Sequence, residues 1–263
     1  MDFLLGGRAV QSGRRDQLRT YPVYFPDWIT EITRRNKVRR LVPQSKDHTS
    51  LDAISTRIVD ITRGLRRQRS ALVAVTGIDG SGKGYLALRF SQILQRADLR
   101  VGLINIDGWL NLPSVRFSEM NPAQNFYEHA IRFDELFEPL VLPLKANRYA
   151  KVEADFAEET ASAYRRQTFS FDDIDVILLE GIYLLKRRFQ HLYDLSIWID
   201  CTFETALERA IKRGQEGLPP DEVTRAYQTI YFPAQRIHFE IDRPQQAASI
   251  VFPNDPRILN GGI

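Results

Sequence analysis

The chain has 263 residues, 43% of them hydrophobic, and a formal net charge of +3, which excludes global disorder and suits one α/β domain with an appendage or two small domains. No apolar run approaches the roughly 20 residues that a bilayer-spanning helix needs, and Gly6, Gly7 and Arg8 end the apolar Phe3–Leu5 stretch too early for a secretory signal. The single cysteine, Cys201, excludes an internal disulfide framework and fits a reducing compartment such as the cytoplasm.

The charge is uneven. Residues 1–70 hold 15 Lys/Arg against 7 Asp/Glu, a net +8; residues 71–263 hold 21 against 26, a net −5. A basic segment of that size can meet nucleic acid or anionic lipid. No nucleic-acid-binding motif accompanies it, so the plainer expectation is that it packs along the acidic remainder or forms a solvated face. Pro22, Pro26 and Pro43 punctuate residues 1–48, while Tyr21, Tyr24, Phe25 and Trp28 form an aromatic cluster suited to docking or to a homo-oligomer contact. Asp27 is placed to cap a short helix through Trp28, Ile29 and Ile32. Thr49 or Ser50 is placed to cap a longer one, in which Leu51, Ile54, Ile58, Ile61 and Leu65 recur at helical spacing. Arg63, Arg66 and Arg67 fall in its last turns, where cations favour the helix dipole.

From Ala71 short apolar strands alternate with helices. Strands are expected at 71–76, 101–106, 175–179, 195–199 and 248–252. Helices are expected at 84–96, through most of 124–141, at 202–213, and at 221–242 with an interruption near Pro233. Buried strands separated by helices imply a three-layer α/β fold with a mainly parallel sheet. The expected division is a basic extension over 1–70 and a second unit over 71–263. In such sheets ligands sit beyond the carboxyl ends of the strands.

Gly77, Ile78, Asp79, Gly80, Ser81, Gly82 and Lys83 match G-x-x-x-x-G-K, the Walker A phosphate-binding pattern, with a strand before and a helix after. The glycines let successive backbone N–H groups point inward, and the helix N-terminus adds partial positive charge. Lys83 adds a full charge for the β- and γ-phosphates; Gly84 and Tyr85 complete the expected nucleotide-binding segment. An ordinary Gly-rich turn would not explain a lysine at that position. Gly84 stands where the pattern has Ser or Thr, whose hydroxyl normally ligates Mg²⁺. Either Mg²⁺ is held by carboxylates and water, or the site binds nucleotide with little turnover. Asp107 and Glu180 each end an expected strand on the same sheet edge as the loop. Asp107 is the candidate general base and, with Glu180, a candidate for the metal shell; the alternative is a pair of solvated strand-end acids. Asp200 ends a third strand and is read as the cap of the helix beginning near Thr202.

The ordered set Gly77–Lys83, Ile106-Asp107-Gly-Trp109, Leu178-Leu-Glu180-Gly-Ile182, Glu208-Arg209-Ala-Ile-Lys-Arg213 and Tyr231-Phe-Pro-Ala-Gln235 resembles the uridine kinase group of P-loop kinases, which includes phosphoribulokinase and bacterial pantothenate kinase. The resemblance spans about residues 71–256; residues 1–70 have no counterpart in it. It implies a Mg-ATP kinase with a base aspartate at Asp107 and a mobile arginine-bearing lid near 209–220. Arg209 and Arg213 would there spread over the phosphates, with Gly214, Gly217, Pro219 and Pro220 as hinge and stop. For the small-molecule acceptor the sequence offers Tyr127, His129, Arg132, Arg166 and Tyr183; each is equally readable as core, as solvated surface or as a partner of nearby acids. The aromatic residues favour a nucleoside-like acceptor. A nucleotide-binding regulator is the alternative that Gly84 suggests.

Overall fold

The computed structural model describes residues 50–65, 67–157, 159–214 and 218–260. The aromatic cluster at 21–28, the helix expected near Asp27, and Arg66 and Gly217 lie outside the described residues. Helix α1 (Leu51–Gly64) starts where Ser50 Oγ accepts the Ala53 N–H at 3.1 Å. Strand β1 (Ala71–Gly77) leads through the glycine loop into α2 (Lys83–Arg96). Then follow β2 (Val101–Asn105), α3 (Pro122–His129), β3 (Ala150–Phe156), β4 (Arg165–Phe171), β5 (Val176–Gly181) and β6 (Leu195–Asp200). Helices α4 (Phe203–Arg213), α5 (Pro220–Ala226) and α6 (Phe232–Asp242) and strand β7 (Ile250–Pro253) complete the order that matters here.

The main sheet runs β2-β5-β1-β6-β7, and every pairing in it is parallel. β1 is central, flanked by β5 and β6, and is buried along its whole length. Strand periodicity sends alternate residues to opposite faces. Leu72 and Ala74 join Ile104, Ile177 and Leu179 on one face, against Phe126, Phe137 and Leu140. Ala71, Val73 and Val75 join the other, against α1 and α2 through Ile54, Ile58, Leu86, Phe90 and Leu94. The fold is therefore three-layered, as expected. The basic stretch upstream of 71 contributes one of the covering helices: Ile54 and Ile58 are fully buried.

Several local expectations are corrected. β2 stops at Asn105, because Asn105 Oδ1 accepts the Asp107 N–H at 2.7 Å and starts a tight turn over Ile106–Gly108. Asp107 thus sits on a 3₁₀ turn rather than on the strand. Residues 124–141 are largely helical, as expected, in two stretches parted at Ala130–Arg132, where Ile131 bridges to Leu110. The acidic stretch beginning at Glu153 is half of an antiparallel hairpin, β3–β4, whose charged residues face solvent while Phe156, Phe169 and Phe171 face the core. Asp200 does not cap α4. Thr202 does, its Oγ1 accepting the Thr205 N–H at 3.3 Å, and Asp200 instead accepts from Gln245 Nε2 at 2.9 Å.

The interruption near Pro233 is real and has a defined form. Residues Tyr227–Tyr231 make a π-helical turn between α5 and α6. A second π turn, Phe137–Val141, is likewise followed two residues later by a proline, Pro143. Proline lacks an N–H and crowds the carbonyl four residues back, so a widened turn just before it relieves the clash.

Candidate active site

The site is built at the carboxyl end of β1. Gly80 and Gly82 adopt left-handed backbone conformations, at φ +77° and +89°. A Cβ on Gly80 would stand 2.5 Å from the Ala206 carbonyl oxygen, and one on Gly82 would stand 2.6 Å from Asn254 Nδ2. Both positions therefore require glycine for close approach as well as for dihedral angle. Lys83 opens α2, mostly buried, with Nζ 3.8 Å from Asp79 Oδ1. Ile78 contributes only backbone here, since its side chain joins the core around Trp198 and Tyr227. The Tyr85 ring is exposed and meets Arg89.

Asp79 is held from two sides: the Gly80 N–H donates to Oδ1 at 3.0 Å and the Tyr227 hydroxyl donates to Oδ2. Burial works against its charge, but Arg213, Lys83 and these two donors outweigh it and hold the carboxyl below its usual range. Asp107 behaves oppositely. Burial and the charge of Asp79 push it up, against Lys83, Arg213 and Asn105. Glu180 is almost fully buried at the end of β5, and its Oε2 has no hydrogen-bond partner among the described residues. Burial first, then Asp107 and Asp79, push it up to about 8 against the pull of Lys83 and Arg213. Lys83, Asp79, Asp107, Glu180 and Arg213 thus act on one another in a single cluster beside the loop.

The raised Glu180 has a measurable consequence. A carboxyl raised above its unfolded value stabilises the fold fully below that value, 4.5, and loses the contribution as pH rises through about 8. Glu180→Gln removes the titration. The ligand-free variant is expected to melt with the wild type near pH 4 and a few degrees above it beyond about pH 8. Superimposable melting curves from acid to alkaline pH would show that the carboxylate carries no such cost.

Arg209 and Arg213 share a helix but part company. Arg209 donates from Nη1 to the Ser81 carbonyl at 3.0 Å and from Nη2 to the Asn254 carbonyl at 2.8 Å. Asn254 Nδ2 donates to the same Ser81 oxygen at 2.7 Å. The guanidinium of Arg209 therefore touches the loop directly, through the Ser81 carbonyl, and ties it to Asn254. Arg213, one turn later, is exposed, and its charge reaches Asp79, Asp107 and Glu180.

Most of the expected acceptor residues lie elsewhere. His129 is exposed beside Glu128, 3.7 Å away. Arg132 is buried but pairs with Glu135, donates to the Asp155 carbonyl at 2.7 Å and lies over the Tyr164 ring. Arg166 is exposed and meets Asp155 across the hairpin at 3.2 Å. Tyr127 is buried, donating its hydroxyl to Asp242 at 2.6 Å. These four are bound up in structure. Tyr183 differs: it is buried, at φ +58°, with its hydroxyl unpartnered among the described residues. Burial first, then the charge of Asp79, push its phenol well up. Sequence reasoning passed over Asn254 and over Arg116. Arg116 is buried with Nη1 donating to the Asn111 carbonyl at 3.0 Å, and the charge of Asp107 acts on it. Neither belongs to a pattern of fixed spacing; only the fold brings Asn254 to the loop and Arg116 within reach of the charge of Asp107.

The sequence profile of the Phosphoribulokinase / Uridine kinase family matches residues 72–257. The chain belongs to that family. A uridine kinase of Streptococcus pneumoniae is 28% identical over 192 residues, covering 71% of this chain and 87% of the relative. Among solved structures, a possible uridine kinase from Bacillus stearothermophilus aligns at TM-score 0.56 and 20% identity, over 76% of this chain and 98% of its own. D-glycerate 3-kinase from Cryptococcus neoformans aligns at TM-score 0.52 and 13% identity, over 78% and 95%. The two structural likenesses show a shared fold. Among the described residues no helix is long and apolar enough to cross a membrane.

Proposed function

We propose that this protein is an ATP-dependent kinase that transfers the γ-phosphoryl group to a hydroxyl of a small, nucleoside-like acceptor in the cytoplasm. The observation that carries the reading is the convergence of Lys83, Asp107 and Glu180 on the end of the central strand, beside a glycine loop that opens a helix. The loop N–H groups and Lys83 bind the phosphates. Arg209 and Asn254 keep the loop in shape through the Ser81 carbonyl. Asp107, a half-buried carboxylate raised above its usual range, takes the proton of the acceptor hydroxyl at a carboxylate oxygen. Lys83 and Arg213 offset the negative charge that spreads over the transferring group.

Magnesium fits the donor set. Mg²⁺ keeps several waters and takes one or two carboxylates plus phosphate oxygens, and Glu180 presents a buried oxygen without a protein partner. Glu180 and Asp107 are the residues that would hold the ion, which when bound supplies charge neutralisation at the phosphates. Gly84 leaves room beside them: a Cβ there would lie 3.6 Å from Glu180 Oε2, an ordinary contact. Gly84→Ser is therefore expected to fold normally and to bind Mg²⁺ several-fold more tightly in a titration of the nucleotide complex. Unchanged affinity would mean that the hydroxyl was never limiting.

The test of the function is ADP release from Mg-ATP across nucleosides, pantothenate, glycerate, sugars and sugar phosphates. Acceptor-dependent release names the substrate class. Tight ATP binding with no release for any acceptor moves the weight to a nucleotide-binding regulator, the reading that Gly84 favours.

A further inference from the structure

An ionised carboxylate inside a phosphate-binding loop is a liability, because it repels the ligand and competes for the cation that should receive it. Asp79 is such a carboxylate. It is the third residue of the Gly77–Lys83 motif. Its side chain is 27% exposed, and Oδ1 lies 3.8 Å from Lys83 Nζ. The cations that act on it are Arg213 and then Lys83, the same two assigned above to the transferring phosphoryl group.

Two donors restrain it. The Gly80 N–H holds Oδ1 at 3.0 Å, and the Tyr227 hydroxyl donates to Oδ2. The first bond is local to the loop. The second spans 148 positions and comes from the π turn between α5 and α6. Tyr227 is fully buried. Its ring stands edge-on to Tyr231 at 5.1 Å and to Phe232 at 5.3 Å. It shares its apolar surroundings with Ile78, the loop residue next to Asp79, and with Trp198 and Val223. The hydroxyl is thus offered from a fixed ring. With both carboxylate oxygens committed, the approach to Lys83 stops at 3.8 Å, beyond hydrogen-bonding reach. The extra residue of the π turn rotates what precedes it relative to α6, and so sets the direction in which Tyr227 faces.

We propose that Tyr227 is a positioning residue for nucleotide binding: its hydroxyl holds the Asp79 carboxylate back from Lys83, so that the ammonium is left to the phosphates. The proposal rests on the reading of Gly77–Lys83 as a nucleotide loop and deepens it. Without the hydroxyl, Oδ2 is released into a cluster whose attracting charges are Arg213 and Lys83. A closed Asp79–Lys83 pair would then have to open before phosphate could bind. Hydrogen bonds to charged groups are the stronger class, so losing this one is enough to shift nucleotide affinity by about a factor of ten.

The experiment uses the full chain as wild type, Tyr227→Phe, Asp79→Asn and the double variant. Each is titrated with adenylyl imidodiphosphate and Mg²⁺, an ATP analogue whose β–γ bridge is not cleaved, alongside a melting curve. Tyr227→Phe is expected to bind the analogue about tenfold more weakly. Asp79→Asn is expected to bind at least as tightly as the wild type, since a neutral amide does not compete for Lys83. In the Asp79→Asn background the Tyr227→Phe change should cost less than about twofold, although the amide oxygen can still accept the hydroxyl. That rescue is the sign of a charge held back; a hydroxyl serving only internal structure would cost the same in both backgrounds. Equal losses in both backgrounds, wild-type affinity in Tyr227→Phe, or weaker binding by Asp79→Asn overturns the proposal and leaves the nucleotide loop standing. The Asp79→Asn arm decides by itself if Tyr227→Phe proves too unstable to titrate. Failure of the wild type to bind the analogue overturns the loop reading and the proposal together.

Discussion

Lys83→Ala is expected to bring phosphoryl transfer below detection while leaving the fold intact. The side chain opens α2, is mostly buried, and places its ammonium 3.8 Å from Asp79 Oδ1. It is the full positive charge within the Gly77–Lys83 motif itself, and phosphoryl transfer depends on positioning and charge stabilisation more than on covalent chemistry. Alanine is the best helix former and costs the start of α2 nothing. Removing the charge also leaves Asp79, Asp107 and Glu180 mutually repelling, so nucleotide affinity should fall as well. The measurement is ADP release with the best acceptor, paired with a melting curve and a nucleotide titration. Full activity in a folded variant would remove the loop from the mechanism.

Asp107→Asn is expected to lower kcat by roughly two to four orders of magnitude, the usual weight of a general base, with ATP affinity little changed. Asparagine keeps the size of the side chain and leaves the Asn105-capped turn in place, since the bond that starts that turn uses the Asp107 backbone N–H. What it loses is a carboxylate oxygen that can receive a proton. Burial and Asp79 raise the Asp107 pKa, so the activity of the wild type should rise with pH as that carboxyl deprotonates, and the residual activity of the variant should lose that limb. A variant that keeps both the rate and the pH limb would take Asp107 out of the proton transfer.

The sheet was legible because its strands are short apolar runs bounded by helical periodicity: Ala71–Gly77, Val176–Gly181 and Leu195–Asp200 emerge within two residues of their expected ends. The loop was legible because its glycines and lysine hold a fixed spacing. The hairpin was not. Its strands carry Lys151, Glu153, Asp155 and Arg166 on one side and Arg165, over the Phe156 ring, at the end of the other, and that density of charge masks the alternation of Phe156, Phe169 and Phe171. The acceptor residues were legible only in type. Arg132 and Arg166 look like anion readers in one dimension, but the first is satisfied by carbonyls and the second by the strand opposite. Gln235 stood inside the Tyr231-Phe-Pro-Ala-Gln235 stretch, yet only packing reveals that its side-chain oxygen is unpaired among the described residues. Arg209 had the residue type of a phosphate ligand, and its partners, Ser81 and Asn254, are too distant in sequence for spacing to suggest them.

That last pairing bears on how the chain is made. Asn254 meets the Ser81 carbonyl across 173 positions, and Arg209 meets it across 128. At the usual 5–20 residues per second, Asn254 leaves the ribosome about 9 to 35 s after Ser81. Until Arg209 emerges the nascent loop has its strand and its glycines but neither of the two donors that pin its carbonyl, and until Asn254 emerges it has only one. Contacts of such long separation form late because their closure entropy must be met first. A chain halted before β7 is therefore expected to hold nucleotide poorly even with every residue of the glycine loop present, and competence to grip phosphate should arrive as one of the last events of synthesis.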